Sequence, residues 1–208
     1  MDRNSKLARG LYRLIEERIL PLIDRHGLTA DQLSWAGLAV SAAAGAAFVF
    51  SPAGGALLLL LAGLFDVVDG FTARSNGTAS PAGAFLDSVL DRYGEVVVLI
   101  GVWGYLYRAE AAIIPATLLV FLALAGSFMV SYTRARGEGV AVSCGVGFFQ
   151  RGERIVMLAL GGLLDVLQPP IVMLATVALI GAGANMTAIN RLRRIRRTLL
   201  VQKKGEVK

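Results

Sequence analysis

Residues 54–74 read GGALLLLLAGLFDVVDGFTAR, and after a short polar stretch residues 82–107 read AGAFLDSVLDRYGEVVVLIGVWGYLY. Both segments are apolar over most of their length. A bilayer core of ~30 Å takes roughly 20 apolar residues in a helix, so each can span one. Asp66 and Asp69 close the first segment, and Asp87 and Asp91 open the second. Acids are costly in hydrocarbon and mark function by default. Two helices joined by a short loop would bring these four carboxylates to one end of an antiparallel pair. The expected class is therefore all-α and integral to a membrane, with a charged site at one face.

The rest of the chain agrees. It has 208 residues, enough for one domain, and 55% of them are hydrophobic. A mean hydropathy of +0.62 is too high for a soluble domain of this length. Other uncharged runs of spanning length are Leu33–Phe50, Ala111–Thr133 and Pro170–Asn190. The pattern predicts six transmembrane helices over about 30–50, 54–73, 82–107, 111–134, 152–167 and 171–189. One domain is expected over 1–208: a juxtamembrane segment (1–27), a six-helix core (28–194) and a basic tail (195–208). Lys203 and Lys204 fall in a stretch expected to be disordered. No internal repeat is visible.

Residues 1–25 have no long apolar stretch and do not read as a secretory signal. Leu7, Leu11, Leu14, Ile15, Ile19 and Leu22 recur at helical spacing among charges, which predicts an amphipathic interfacial helix. A soluble helix packed on the cytoplasmic loops fits the same pattern. The formal charge is +6. Basic residues collect in the N-terminal segment, beside Arg74, around Arg134–Arg154 and in the C-terminal segment, while the opposite connections hold only Arg108. This bias makes the first face cytoplasmic and puts both termini and the site there. The expected location is the cell inner (plasma) membrane, multi-pass. Basic ends that flank spans argue against a nucleic-acid partner. Cys144 is the only cysteine, so no intrachain disulfide can form. It is expected to be an inert loop thiol, and the lone His26 a surface residue.

Asp66 and Asp69 are spaced i, i+3 and Asp87 and Asp91 i, i+4, so each pair shares a helix face. Four like charges in a half-buried site repel and cannot all stay ionised unaided. Divalent cations resolve that conflict, and oxygen ligands suit Mg²⁺ or Mn²⁺, with room for two ions. Pairing with Arg74 and Arg92 would explain one such aspartate but not four. Gly70 and Gly83 would let a nucleotide approach the backbone. Gly37, Ser41 and Gly45, spaced by four, read instead as a helix-packing stripe.

Written out, the pattern is Asp66-x-x-Asp69-Gly70-x-x-Ala73-Arg74, eight residues, then Gly83-x-x-x-Asp87-x-x-x-Asp91. It fixes eight residues over 26 positions and resembles, in full, the signature of the CDP-alcohol phosphotransferase family. The resemblance implies six transmembrane helices, a homodimer and a polar cavity facing the cytoplasm. It implies that Asp66, Asp69 and Asp87 ligate one metal ion, with Asp66, Asp87 and Asp91 around a second. It further implies that Gly70, Ala73, Arg74 and Gly83, with Asp66, Asp69 and Asp87, hold the CDP moiety, and that Asp91 is the general base. One departure stands before the first span. The family's Thr-Pro-Asn-like stretch reads Thr29-Ala30-Asp31 here.

Basic residues near later spans bear on the acceptor. Ser131-Tyr132-Thr133-Arg134-Ala135-Arg136 closes the fourth span, Gln150-Arg151-Gly152-Glu153-Arg154 opens the fifth, and Asn190-Arg191 ends the sixth. Plain positive-inside charge accounts for some of these. Arginine forks also suit a phosphomonoester. The arrangement is similar to that of the phosphatidylinositol-phosphate synthase branch, where such residues bind inositol phosphate. On that resemblance Arg134, Arg136, Arg154 and Arg191 bind the acceptor. The expected reaction joins CDP-diacylglycerol and inositol phosphate to give phosphatidylinositol phosphate and CMP. Phosphatidylglycerophosphate, phosphatidylserine and di-inositol-phosphate synthases are the alternatives within the family. A cation transporter is a distant one, because its acids would line the mid-membrane rather than cluster at one end.

Overall fold

The computed structural model describes residues 15–205 and contains no strand among them. A π-helical turn, Ile15–Ile19, leads into α1, Leu20–Arg25. Six longer helices follow: α2 Ala30–Phe50, α3 Pro52–Ser75, α4 Pro81–Arg108, α5 Ile113–Glu138, α6 Arg151–Leu164 and α7 Ile171–Gly205. A 3₁₀ turn, Asp165–Leu167, extends α6. Leu7, Leu11 and Leu14 of the predicted interfacial helix lie outside the described residues, and His26 is exposed.

Local chemistry fixes where the helices begin. Thr29 and Gln32 form a reciprocal capping box at α2, with Gln32 N–H donating to Thr29 Oγ1 at 3.3 Å and Thr29 N–H to Gln32 Oε1 at 2.9 Å. The surviving threonine is thus a helix cap, and the missing proline is dispensable at the first helical position. Ser51 and Ser80 cap α3 and α4 by accepting from Gly54 and Gly83 N–H, each at 3.1 Å, with Pro52 and Pro81 next in line.

Four helices are long and apolar enough to cross a membrane: Ala30–Phe50, Pro52–Ser75, Ile113–Glu138 and Ile171–Gln202. Their outward faces expose Phe50, Leu57, Leu118, Phe121 and Leu179, as lipid contact requires. The other two fall short for visible reasons. α4 carries Asp87, Asp91, Arg92 and Glu95 in its first half, and α6 has only 14 residues. Both are helices of the site. Two predicted ends shift outward. The fourth span runs on to Glu138, and the last helix does not stop near 189 or fray at Lys203 but continues to Gly205.

The helices close a ring. α2 packs on α3 and α4, α4 meets α5, α5 packs on α7, α7 meets α6, and α6 returns to α3. α3 and α4 are consecutive but touch only sparsely, because α2 lies between them. The predicted stripe makes this possible. A Cβ on Gly101 of α4 would stand 2.0 Å from the Gly45 carbonyl of α2, so the two backbones touch. In lipid, such close approach replaces the hydrophobic drive that water would supply. The packed core, with Phe48, Val102, Leu106, Ala116, Met173 and Val177 all buried, lies toward the end opposite the aspartates. At the aspartate end the ring opens into a cavity of about 2080 Å³.

Candidate active site

Helix geometry delivers the aspartates to one place. Asp66, Asp69 and Asp87 each present a carboxylate oxygen, and these atoms lie within 4.8 Å of one another. Asp69 is buried and accepts from Ser34 Oγ of α2 at 2.7 Å. Asp66 and Asp87 line the cavity. Three carboxylates this close need positive charge between them, and their hard oxygen donors fit a divalent cation.

Asp91 lines the cavity as well, but its partner is an arginine from α6. Arg151 reaches Asp66 Oδ1 with Nη1 at 2.6 Å and Asp91 Oδ1 with Nη2 at 2.7 Å. Arg92 lies 3.6 Å from Asp91 and donates to Ser131 Oγ of α5. The counter-charge for this cluster therefore comes mainly from α6. Arg74 is exposed and lies back over its own helix, where a Cβ on Gly70 would meet its Nη1 at 3.2 Å. Gly83 sits in the first turn of α4, and a Cβ there would lie 3.5 Å from Asp31 Oδ1. Ala73 is half-buried on α3, one position before Arg74.

Three of the four predicted acceptor arginines line the cavity: Arg134, Arg154 and Arg191. Arg136 is exposed and stands apart from the cavity wall. Arg134 pairs with Glu138 one turn on at 3.0 Å, and that pair is largely exposed. Arg191 is buried and donates Nε to the Val146 carbonyl at 2.7 Å and Nη1 to the Val130 carbonyl at 2.8 Å. It thereby ties the 139–150 connection, where Cys144 is buried, to α5. Arg154 makes a two-pronged pair with Glu95 of α4.

Ser34, Glu95 and the bridging role of Arg151 did not emerge from sequence reasoning. Glu95 carried a signal, being one further i, i+4 step along the Asp87–Asp91 face. Ser34 carried none, since nothing local distinguishes it from a packing serine. Beyond the charged end, the cavity runs between α3 and α6 along Leu60, Leu64, Val67, Val156, Leu160 and Leu164. A site that is acidic on one wall, basic on another and apolar below can bind a metal, an anion and acyl chains together.

The sequence model of the CDP-alcohol phosphatidyltransferase family matches residues 28–188. Archaetidylinositol phosphate synthase of Methanothermobacter thermautotrophicus is 35% identical over 192 residues, which is 92% of this chain and 95% of the relative. Phosphatidylinositol phosphate synthase of Streptomyces avermitilis is 33% identical over 206 residues, 93% of this chain and 82% of the relative. Among solved structures, Mycobacterium tuberculosis phosphatidylinositol phosphate synthase with CDP-DAG bound superposes with a TM-score of 0.77 at 26% identity, covering 85% of this chain and 91% of that one. The same enzyme in complex with manganese and citrate gives the same score, covering 87% of its chain.

Proposed function

This chain belongs to the CDP-alcohol phosphatidyltransferase family, and on that premise we propose that it moves the phosphatidyl group of CDP-diacylglycerol to a hydroxyl of inositol phosphate. It is a transferase. The observation that carries the reading is the meeting of Asp66, Asp69 and Asp87 at the wall of a cavity lined by Asp66 and Asp87 together with Arg134 and Arg191.

The acceptor hydroxyl attacks the phosphorus that bears diacylglycerol. A new P–O bond forms as the bond to CMP breaks. Asp91 takes the hydroxyl proton, after giving up its pairing with Arg151. Arg151, once released, is free to meet phosphate oxygens instead. When bound, a divalent ion held by Asp66, Asp69 and Asp87 neutralises the diphosphate and the departing CMP. A second ion beside Asp91 belongs to the same reading. Arg74, beside Gly70, faces the nucleotide. Arg134 and Arg191 take the acceptor phosphate, with Arg154 behind them and Arg136 outside the cavity wall. The apolar stretch between α3 and α6 receives the acyl chains.

Architecture follows suit. α2 to α7 act as six spans, α4 and α6 tolerating polar residues because these face the cavity rather than lipid. The described part of the N-terminal segment, Ile15–Arg25, lies at the membrane interface. The termini and the site face the cytoplasm, and the enzyme works as a homodimer.

The test offers purified protein CDP-diacylglycerol, Mg²⁺ and, separately, inositol phosphate, free inositol, glycerol phosphate and serine. Phosphatidylinositol phosphate and CMP are expected from the first acceptor alone. Product from serine or glycerol phosphate instead would reassign the acceptor, and none from any acceptor would overturn the reading. Similarity to an archaetidylinositol phosphate synthase favours one second reading, an archaeol-based donor. A parallel run with CDP-archaeol separates the two.

A further inference from the structure

Glu95 lies two helical turns below Asp87 on the face that also carries Asp91, ~6 Å deeper than Asp91 along α4. Its carboxylate is half-buried and receives both prongs of Arg154, Nε to Oε1 at 2.8 Å and Nη2 to Oε2 at 3.1 Å. The remaining nitrogen, Nη1, donates to the Phe149 carbonyl at 3.0 Å. Arg154 is 3% exposed, so all three nitrogens of a buried guanidinium are committed to protein. A phosphate cannot take the fork of Arg154 while Glu95 holds it.

α4 and α6 run in the same direction across the cavity without close backbone packing. Two rungs join them: Asp91 to Arg151 near the mouth, and Glu95 to Arg154 one turn down. The outer rung includes the base and must open for chemistry. The inner rung has no such duty. Through Phe149 it also fixes the segment Gly147–Gln150, in which Phe149 N–H donates to the Thr187 hydroxyl oxygen at 3.4 Å and Gln150 Nε2 to the Gly147 carbonyl at 3.3 Å. Next to that segment, Val146 anchors Arg191.

We propose that Glu95 is a positioning residue for the acceptor subsite. By locking Arg154 it holds the 147–150 segment, and with it Arg191, at the spacing that admits a phosphorylated polyol. This inference rests on the acceptor assignment given above. Glu95 itself touches neither substrate.

The test compares Glu95→Gln, Glu95→Asp and Glu95→Ala with wild type in reconstituted full-length protein, measuring KM for inositol phosphate and for CDP-diacylglycerol. Removing one partner of a buried charge pair has large local effects, so Glu95→Ala should raise the acceptor KM about tenfold or more. The donor KM should stay within about twofold, because the aspartate cluster is held by other partners. Glu95→Gln should fall between, and Glu95→Asp should restore much of the loss. Equal changes in both KM values, or loss of donor binding along with acceptor binding in Glu95→Gln, would reveal a general structural role and overturn the proposal. An unchanged acceptor KM in Glu95→Ala would do the same. Failure of wild type to use inositol phosphate would sink the acceptor assignment instead, and that control is read first.

Discussion

The two ends of the bundle bury the same residue type under opposite conditions. At the cavity end, Asp66, Asp69 and Asp87 crowd within 4.8 Å with few neutral donors around them. At the other end Asp165 is alone and fully answered. It is buried, accepts the Tyr105 hydroxyl through Oδ2, and accepts Met173 N–H at 2.9 Å through Oδ1. The second arrangement satisfies a free N–H at the start of α7 and fastens α4 to α7, which is structural work. The first leaves like charges facing one another, which no fold retains for stability alone. The comparison teaches that burial of an acid says little until its partners are counted.

That contrast can be broken experimentally. The largest effect is expected from Asp66→Asn or Asp87→Asn, each lowering the rate of CMP release by ~10²-fold or more; in Asp87→Asn the melting temperature holds or rises, since a repulsive charge is removed without breaking the Asp66–Arg151 pair. Full activity in either would put that carboxylate among the structural acids. Next, Mn²⁺ at about 100 times its Kd should stabilise wild type by ~2.7 kcal/mol in thermal unfolding, and Asp69→Asn should abolish most of that shift. An equal shift in both proteins would move the ion elsewhere. Asp165→Ala should cost ~1–3 kcal/mol of stability by stranding Met173 N–H and the Tyr105 hydroxyl, with CMP release per folded molecule unchanged. A specific loss of catalysis there would erase the distinction between the ends. Tyr105→Phe is the mildest, at about 1 kcal/mol in the same unfolding measurement.

The acidic wall was legible in the sequence because its spacing is local. Asp66 to Asp69 and Asp87 to Asp91 share faces by helix period alone. Helix beginnings were legible for the same reason, through Pro52 and Pro81 behind their serine caps. The basic wall was legible only as composition. Whether Arg151 or Arg154 meets a given acid depends on the relative height of α4 and α6, and 59 positions separate Glu95 from Arg154. That height is set by packing of α2 and α3 between them, which no short pattern encodes. Ser34 illustrates the limit: its tie to Asp69 crosses from α2 to α3, 35 positions away. The end of α7 was not legible because hydropathy marks where a helix leaves lipid, not where its backbone hydrogen bonding stops.

The contact of Gly101 with the Gly45 carbonyl lies ten residues beyond Asp91, ~15 Å down α4. With no side chain on either helix at that crossing, α2 and α4 meet backbone to backbone, and any parting forced there is carried up to the mouth. A methyl group placed there, far from any substrate, would tilt Asp87 and Asp91 away from Asp66 and Asp69 like the jaws of opened pliers.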